Sequence, residues 1–400
     1  MINPHVLSEI ELVNRARDFS NRYLRPIARD LDRENRFPEE LLGQMANEGF
    51  WGMHYPVEYG GGGHDSVTGY MVAKELAKAS AGVALTFHVH WMAADVLLKY
   101  GTTSQKQKYL INLLKGQKVA AYTISEVQAG SDVSSMRAVA VSTKDGWVLN
   151  GTKYFCTNGG LADVYLVALK TDLEAGSKGI SMFIIEKGTP GFEIGTVQEK
   201  MGCRSSVTTS LSFTDCVIPY ENMIGKENEG FQIAMYGLTG GRLGMASMGL
   251  GIAEMAMEEA VQYANRRIAY GNSLSKLYSV QEMIADMYIK IEATKLLVFE
   301  AARKRDLGED YSLNSSVAKI IAADTASHVC NKALQIFGGH GYMMHNPVER
   351  YMRDARLMDI GVGASEVLKM VIGTTILKEP SNRVSNPRKQ AICKRMVGVS

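Results

Sequence analysis

The chain contains 400 residues, of which 46% are hydrophobic and 22% are charged, a composition typical of globular and not of disordered proteins. Its 44 basic and 42 acidic residues leave a formal charge of +2. This balance argues against nucleic acid or an anionic membrane as a partner, because neither would be attracted to the protein as a whole. A chain of this length exceeds one compact unit, so two or three domains are predicted.

Five scattered cysteines, with no CxxC pair, predict free thiols in a reducing cytoplasm and not a disulfide framework or a zinc site. The first residues are polar and amphipathic, so no signal peptide is predicted, and we recognise no apolar run of bilayer length. We therefore expect a cytoplasmic protein without a bound metal.

The first segment, residues 1–118, is predicted to be an α-helical domain. From residue 6 onward its apolar side chains recur with helical spacing, most clearly between Leu85 and Tyr100. Four glycines at 60–63 interrupt this pattern. No Gly-Lys-Ser/Thr sequence follows them, which favours a flexible turn over a phosphate-binding loop.

The second segment, residues 119–230, changes to a β pattern. Apolar and polar residues alternate at 139–143, and Asp145-Gly146 after them is typical of a hairpin turn. Further short apolar runs follow at 165–169, 182–185 and 211–213. Because no helices intervene, an antiparallel barrel or sandwich is predicted.

Helical spacing returns in the third segment, residues 231–380, where we predict a four-helix bundle with helices at 231–268, 279–306, 311–336 and 363–378. The polar and basic remainder, 381–400, is predicted to be a poorly ordered tail. The three segments together predict an α+β multidomain protein.

Five short segments of the sequence resemble the acyl-CoA dehydrogenase family and occur in the family's order. The first, Tyr-Thr-Ile-Ser-Glu-Val-Gln-Ala-Gly-Ser-Asp at 122–132, is similar to the family signature, and the others are at 150–158, 267–271, 335–342 and 351–355. One such segment is a weak indication, whereas five in order are a strong one. The resemblance implies the family's fold, bound FAD, an acyl-CoA substrate, a homotetramer and electron delivery to an electron-transfer flavoprotein.

The resemblance also implies where the flavin would be held. Backbone N–H groups and serine hydroxyls of the 122–131 loop would hydrogen-bond the flavin and its pyrophosphate. Phe155 replaces the family's usual tryptophan against the flavin ring, and Arg267 would bind the diphosphate. A neighbouring subunit would supply glycines that permit close backbone approach. The implied cofactor residues are Tyr122, Ser125, Ser131, Phe155, Thr157, Arg267, Tyr270, Gln335, Gly338, Gly339, Ala364 and Glu366.

The same resemblance places the acyl-CoA thioester against two predicted helices. One contains Thr239-Gly240-Gly241-Arg242, and the other is the stretch 82–100 that would line the acyl chain. The implied substrate-binding residues are His88, Trp91, Ser131, Thr239, Arg242, Gly361 and Val362.

The sequence departs from the family at the catalytic base. The usual reaction removes an α-proton with a glutamate while a hydride moves from the β-carbon to the flavin. Most branches carry this glutamate at the position of Val362, and an isovaleryl-type branch carries it at the position of Gly241. Neither position holds a carboxylate here. Glu366 does not substitute, because it aligns without a gap to a cofactor position.

Asp95 is our candidate for the base. His88, Trp91 and Asp95 follow one face of the predicted helix, and an acid among apolar neighbours is costly unless it is used. Two other interpretations stay open. Asp95 could form a surface pair with Lys99 at i,i+4 spacing, and His88 could be a satisfied core histidine.

A base this far from the α-carbon can act only on a proton that conjugation has acidified. The predicted substrate is therefore an α,β-unsaturated thioester that loses its γ-proton in a 1,4-dehydrogenation. One branch of the family oxidises cyclohex-1-ene-1-carboxyl-CoA to the cyclohexa-1,5-diene thioester in this way, and the sequence resembles that branch.

Three alternatives stay open. A conventional 1,2-dehydrogenase would need a base that the sequence does not identify. A thioester desulfinase or decarboxylase needs no base but should carry an arginine for a second substrate anion, and Val83 stands where the glutaryl-type branch has one. A DNA-binding relative would need a basic face and an added domain, whereas this chain has a short basic tail.

Overall fold

Helices at both ends of the chain flank a central β-sheet in the computed structural model, which describes residues 4–378. The tail predicted at 381–400 lies outside the described residues. The succession of helical, β and helical regions confirms the predicted α+β fold class.

The N-terminal region is built from short helices and two longer ones that follow each other almost without a loop. Asp65 begins the first of these because its carboxylate accepts the N–H of Thr68, and Ser80 ends it and caps the second. The second is the central helix of the region, since its residues 81–97 are all buried. The helices are α1 (Pro4–Phe19), α2 (Ala28–Glu34), α3 (Leu42–Asn47), α4 (Ser66–Ala79), α5 (Ala81–Tyr100), α6 (Thr103–Gln105) and α7 (Ile111–Leu114).

The middle of the chain forms one eight-stranded sheet. Its strands are β1 (Ala120–Thr123), β2 (Val139–Thr143), β3 (Gly146–Thr157), β4 (Val164–Lys170), β5 (Ile180–Glu186), β6 (Phe192–Ile194), β7 (Thr208–Ile218) and β8 (Met223–Ile224). They pair in the order β6-β7-β3-β2-β4-β5-β8, and β1 lies beside β4.

The predicted hairpin at Asp145-Gly146 is confirmed, because β2 and β3 pair antiparallel with Val141 opposite Val148. The expectation of a wholly antiparallel sheet is wrong at β4, where β1 pairs in parallel and β2 makes one parallel residue pair. The reason is connectivity: β1 enters from the helical region and not through a hairpin, and a crossover separates it from β4.

The C-terminal region contains five helices and a small hairpin where four helices were predicted. One helix that was not predicted accounts for the difference. Six of its 13 residues are charged, and a narrow face with Tyr351, Ala355 and Met358 packs into the bundle. The elements are α8 (Gly230–Arg266), β9 (Ile268–Ala269), β10 (Asn272–Ser273), α9 (Tyr278–Asp306), α10 (Ser312–Phe337), α11 (Val348–Ile360) and α12 (Ser365–Lys378), of which α11 is the addition.

Two segments have the length and composition of membrane spans, contrary to the expectation that no such run exists. Ala81–Tyr100, with a mean hydropathy of 1.3, is 94% buried inside the protein and is the central helix α5. Val348–Lys378 has a mean hydropathy of 1.5 and is 11% buried. It joins α11 and α12, which have 13 and 14 residues, whereas a bilayer-spanning helix needs about 20.

A row of glycines lets α8 approach α5 closely. Gly237, Gly240, Gly241 and Gly244 are spaced i, i+3, i+4 and i+7 and therefore share one face of α8. A Cβ atom added to Gly240 would lie 2.6 Å from Asp95 Oδ2, and one added to Gly244 would collide with the ring of His88. This contact brings the residues of the candidate site together.

Candidate active site

Asp95 lies in the contact between α5 and α8 and is 4% exposed. Its Oδ1 atom accepts hydrogen bonds from Tyr55 Oη at 2.9 Å and from Arg305 Nη2 at 2.6 Å, and its Oδ2 atom accepts one from Arg305 Nη1 at 2.9 Å. The alternative of a surface pair with Lys99 is wrong, because Asp95 is buried while Lys99 is exposed. Asp95 is therefore a buried carboxylate paired with a cation that the sequence analysis did not identify.

Arg305 reaches Asp95 from the C-terminal end of α9. Its Nη1 atom also donates to Tyr70 Oη at 2.9 Å, and that hydroxyl donates to the carbonyl oxygen of Gly240 at 3.3 Å. Burial lowers the pKa of Arg305, but the adjacent Asp95 carboxylate outweighs burial and raises that pKa well above its usual range. The pair spans 210 residues of sequence, so no local spacing indicates it.

The two positions where the family keeps its glutamate are neighbours in the structure. A Cβ atom added to Gly241 would lie 2.9 Å from Val362 Cγ1 and 2.7 Å from Met92 Sδ. Met92 thus fills the space beside both positions, and sequence reasoning missed it although it lies one helical turn before Asp95. Because Asp95 contacts Gly240, its carboxylate lies one residue along α8 from the vacant base position.

Val362 is held in an unusual backbone conformation. Its φ is +55°, in the left-handed region that β-branched residues rarely adopt, and Gly363 follows with φ +103°. Lys319 stabilises this turn from α10 by donating to the carbonyl oxygens of Asp359 and Gly363, each at 2.9 Å. Burial lowers the pKa of Lys319 to about 8, although Asp359 opposes that shift. The turn that carries Val362 is therefore fixed by the bundle.

The structure brings His88 to the glycine row but places Trp91 in the helical core. Trp91 Nε1 donates to the carbonyl oxygen of Trp51 at 2.9 Å, so the indole supports the site from behind. His88 Nε2 is buried without a hydrogen-bond partner among residues 4–378. The interpretation of His88 as a satisfied core histidine is therefore wrong for that nitrogen. Burial lowers the pKa of His88 to about 3, which keeps the ring neutral.

The two predicted substrate residues on α8 differ in their partners. Thr239 Oγ1 donates back to the carbonyl oxygen of Met235 at 2.9 Å. Arg242 is 9% exposed, and one of its nitrogens donates to Ser316 Oγ at 3.4 Å. Its Nε is buried without a hydrogen-bond partner in the part of the chain that the structure describes, and burial lowers the pKa of this guanidinium. A buried cation with a free donor is suited to a polar ligand.

The predicted flavin loop, 122–131, is held rigidly against β3. Glu126 and Lys153 form an ion pair of 2.7 Å and are almost fully buried, and the Glu126 carboxylate also accepts the backbone N–H groups of Arg137 and Ala138. Tyr154 N donates to the carbonyl oxygen of Ser125 at 2.9 Å. Lys153 and Glu126 lie in two of the family-like segments, and their pairing was not predicted because 27 residues separate them.

Outside the buried Glu126–Lys153 ion pair, the loop and β3 carry exposed groups. Phe155 is 62% exposed with φ +58°, at a register shift of β3 against β7, and Ser131 is exposed at the loop. Thr157 is partly buried beside them. Tyr122 differs from the expectation of a side-chain contact to the cofactor, because its ring is buried and its hydroxyl donates to the carbonyl oxygen of Ala234 at 3.0 Å. Its backbone lies in β1, where Tyr122 is paired with Leu166 of β4.

The remaining predicted cofactor residues lie in the C-terminal region, on its helices and the segments between them. Stacking of Tyr263 on Phe337, with ring centroids 4.1 Å apart, joins the C-terminal end of α8 to the end of α10. Among residues 4–378, no hydrogen bond, ion pair or ring contact joins this group to Phe155. The group comprises exposed Arg267, Tyr270, Gln335, Gly338, Gly339 and Glu366, with Ala364 partly buried.

The two groups fit a flavin. A largely exposed aromatic ring at Phe155 and adjacent hydroxyls suit an isoalloxazine, while Arg267 offers an exposed fork to a diphosphate. Among residues 4–378, no group of three His, Cys, Asp or Glu side chains is arranged to hold a metal ion. The four cysteines of that range are buried free thiols.

Three family models match the chain in succession. Acyl-CoA dehydrogenase, N-terminal domain, matches residues 8–117, the middle domain matches 121–216, and the C-terminal domain matches 228–377. Together they cover most of the chain.

Individual proteins match over nearly their whole length. A short-chain-specific acyl-CoA dehydrogenase of Clostridium acetobutylicum is 45% identical over 92% of this chain and 98% of its own. The butyryl-CoA dehydrogenase structure from Megasphaera elsdenii superposes with a TM-score of 0.91 at 39% identity, covering 94% of this chain and 99% of that one. A structure described as "Electron transferring flavoprotein of Acidaminococcus fermentans: Towards a mechanism of flavin-based electron bifurcation" gives a TM-score of 0.92 at 40% identity, covering 95% and 99%.

Proposed function

Because the chain belongs to the acyl-CoA dehydrogenase family and is an FAD-dependent oxidoreductase, we propose that it dehydrogenates an α,β-unsaturated alicyclic CoA thioester at two carbons in a 1,4 relation. The proposed substrate is cyclohex-1-ene-1-carboxyl-CoA, and the proposed product is cyclohexa-1,5-diene-1-carboxyl-CoA. Asp95 is the proposed base.

One observation carries this proposal: the family's two glutamate positions hold Gly241 and Val362, while the buried Asp95 carboxylate of α5 lies against Gly240, one residue before Gly241 on α8. Met92 occupies the space where a glutamate side chain from Gly241 would begin. An α-proton therefore has no carboxylate at either usual position, and Asp95 is the acid that the α5–α8 contact offers instead.

The position of Asp95 selects the proton that can be removed. In a 1-ene thioester the γ-proton is acidified through the double bond, as an α-proton is in a saturated thioester. Its loss forms a new double bond between the β- and γ-carbons, and the old double bond moves to the ring carbon on the other side of the α-carbon. That carbon gives up a hydride, for which bound FAD supplies the acceptor. Asp95 gains the proton, so one proton and one hydride account for the dehydrogenation.

The surroundings of the site support a short, broad acyl group. Met92, Val362 and His88 lie between α5, α8 and the 361–363 turn, and the fixed turn leaves little freedom to rearrange. Arg242 and the free Nε2 of His88 offer polar contacts at the edge of this space. A compact ring uses such a space better than a long flexible chain, which would lose more conformational entropy.

We also propose an oligomeric state and an electron acceptor for the protein. The separation of the cofactor residues into two groups supports a flavin held between subunits, and we propose a homotetramer in the cytoplasm. An electron-transfer flavoprotein is the proposed electron acceptor, as named in the description of one similar structure. Exposed apolar residues on α9, α10 and α12 support subunit contacts: Tyr288, Ile289, Leu296, Leu297, Ile321, Met370, Val371, Ile376 and Leu377.

A conventional short-chain 1,2-dehydrogenase is the second candidate, favoured by the identity to a short-chain-specific relative. It would need a base at the α-carbon, and neither usual position provides one. A decarboxylase or desulfinase would need a free arginine for a second substrate anion. Arg305 does not meet that need, because both of its terminal nitrogens bind the Asp95 carboxylate.

The test compares Asp95→Asn with the parent holoenzyme mixed anaerobically with cyclohex-1-ene-1-carboxyl-CoA. Flavin bleaching should slow by at least about 10²-fold in the variant, while the Kd from spectral titration changes little, because shape is kept and the base is lost. Butyryl-CoA should bleach the parent flavin much more slowly than the cyclic thioester. Rapid bleaching by butyryl-CoA, or an unchanged Asp95→Asn rate, would refute the proposal.

A matched control is available in Asp32, which is 5% exposed and forms an ion pair of the same kind with Arg353. Asp32→Asn removes a buried, arginine-paired carboxylate without touching the α5–α8 contact. It should bleach at the parent rate once the protein is fully loaded with FAD. A loss equal to that of Asp95→Asn would mean that both effects are structural.

A further inference from the structure

Resting on the proposed function, we infer that Arg305 is a positioning residue: its guanidinium orients the Asp95 carboxylate toward the glycine row of α8 and holds it as an anion until the substrate proton arrives. Arg305 belongs to none of the five family-like segments, and it acts from α9, outside the two helices that hold the substrate.

Arg305 fixes the orientation of the Asp95 carboxylate. A guanidinium that binds both oxygens of a carboxylate fixes the plane of that group as well as its position. Arg305 does this with contacts of 2.6 and 2.9 Å, and Tyr55 adds a bond of 2.9 Å to the same Oδ1 that Nη2 contacts. The Tyr55 hydroxyl lies at the same distance, 2.9 Å, from the carbonyl oxygen of Trp91, so its single proton is shared between the two acceptors.

The hydrogen bonds to Asp95 leave an acceptor position unoccupied on only one of its two carboxylate oxygens. A carboxylate has about four acceptor positions. On Oδ1 two are taken, by Tyr55 and Arg305, and on Oδ2 one is taken, by Arg305. The unoccupied position is therefore on Oδ2, the oxygen that approaches Gly240 of the substrate helix. The arrangement directs the incoming proton to that atom.

The groups around the Asp95–Arg305 pair carry no charge of their own. The other titratable groups around the pair are neutral near pH 7: burial raises the pKa of the tyrosines above the usual value of 10 and lowers the pKa of His54 well below 6.5. Within the described residues, Arg305 is consequently the cation that balances Asp95. The neutral groups and the elements that carry them are His54 and Tyr55 before α4, Tyr70 on α4, Tyr236 on α8, and Tyr311 before α10.

The test uses two substitutions of Arg305 in the FAD-loaded enzyme. In Arg305→Gln, a buried Asp95 keeps one tyrosine donor and no cation, so it should be protonated at neutral pH. Bleaching by cyclohex-1-ene-1-carboxyl-CoA should fall by at least about 10²-fold at pH 7 and recover as pH rises toward 9. Arg305→Lys keeps the charge and loses the fork, so it should be slower than the parent at all pH values without that recovery.

A second readout does not depend on net oxidation. Anaerobic incubation with excess substrate in D2O should place deuterium at the γ-carbon of recovered substrate with the parent, and the Arg305→Gln rate should rise with pD. A parent-like pH profile of both readouts in Arg305→Gln would overturn the inference. So would a recovery of the Arg305→Lys rate as pH rises, an outcome that can be measured even if the glutamine variant does not fold.

The proposed function and this inference can fail separately. If Asp95→Asn bleaches normally, the base assignment itself is wrong. If Asp95→Asn is inactive while Arg305→Gln keeps the parent pH profile, Asp95 is the base and Arg305 has no part in holding it. Arg353→Gln, which breaks the matched pair with Asp32, should leave the pH profile unchanged and thereby excludes a general effect of losing a buried arginine.

Discussion

Two buried aspartate–arginine pairs in this protein share a geometry and differ in their surroundings. Arg353 binds Asp32 through two contacts of 3.0 and 2.7 Å, and Arg305 binds Asp95 through two of 2.9 and 2.6 Å. Arg353 also binds Glu349 and the carbonyl oxygen of Met201. The first pair therefore belongs to a network of charges, whereas the second is enclosed by neutral aromatic groups and faces glycines.

The difference shows that pair geometry alone does not distinguish a structural carboxylate from a reactive one. A buried ion pair is weak evidence for stability, because the cost of removing two charges from water often exceeds their attraction. In the Asp32 network several partners offset that cost. Around Asp95 few groups do so, and the isolated pair lies against the helix that carries the vacant base position. Four predictions test this contrast.

The largest expected effect concerns stability. Asp95→Asn leaves Arg305 buried without a counter-charge and should lower the free energy of unfolding by about 3–5 kcal/mol. Asp32→Asn should cost less, roughly 1–3 kcal/mol, because Glu349 still neutralises Arg353. Chemical denaturation of the two FAD-loaded variants measures both. The contrast fails if Asp32→Asn is the more destabilising change.

The second prediction concerns the pH dependence of folding stability. It rests on Asp354, which follows Arg353 in the sequence. Burial raises the pKa of Asp354 from 3.8 to about 6, although Arg350 opposes the shift. The folded protein therefore binds this proton more tightly than the unfolded chain. Stability from this group is present below about pH 4 and is lost as pH rises to 6, by on the order of 2–3 kcal/mol. Asp354→Asn should remove that slope, which denaturation at pH 4, 5 and 6 would detect.

The third prediction concerns the glycine row. Gly241→Ala places a Cβ atom 2.7 Å from Met92 Sδ and 2.9 Å from Val362 Cγ1, so overpacking should cost about 1–3 kcal/mol and weaken substrate binding. Met92→Ala in the same chain should recover part of the loss. Gly43 on α3 has open space around it, and Gly43→Ala should stabilise the protein by roughly 0.5–1 kcal/mol. Equal effects at both glycines would contradict the proposed close approach.

The smallest effect is expected for the third partner of Asp95. Tyr55→Phe removes one donor from Asp95 and from the carbonyl oxygen of Trp91, and should cost about 0.5–1.5 kcal/mol. Bleaching by the cyclic substrate should change less than in Arg305→Gln, because the fork still orients the carboxylate. A larger loss than in Arg305→Gln would transfer the orienting role to Tyr55.

Most of the fold could be predicted from the sequence because hydrophobic periodicity is local. The long helices α8, α9 and α10 and the β2–β3 hairpin were predicted within a few residues. Helix α11 was overlooked although its apolar residues recur with helical spacing, because it is short and six of its 13 residues are charged. The parallel pairing of β1 with β4 depends on which strands meet after folding, and no local pattern encodes that.

The candidate site was predictable to the extent that its parts lie within short segments. Asp95, Gly241 and Val362 were identified from the sequence, and the structure brings them together. Arg305 could not be identified, because 210 residues separate it from Asp95 and a single arginine on a polar helix resembles a solvated charge. Met92 looked like one apolar residue among many, and its role depends on the glycine opposite it.

The glycine row of α8 also bears on how the protein reaches its folded state. Each glycine within a helix costs about 1 kcal/mol relative to alanine, so four of them weaken the middle of α8 when it stands alone. The helix recovers this cost through the close contact with α5, which belongs to the opposite end of the chain. The C-terminal bundle therefore depends on the N-terminal helices for its longest member. Release of α5 would expose the backbone of α8, and its amide protons should exchange together with those of the distant N-terminal region.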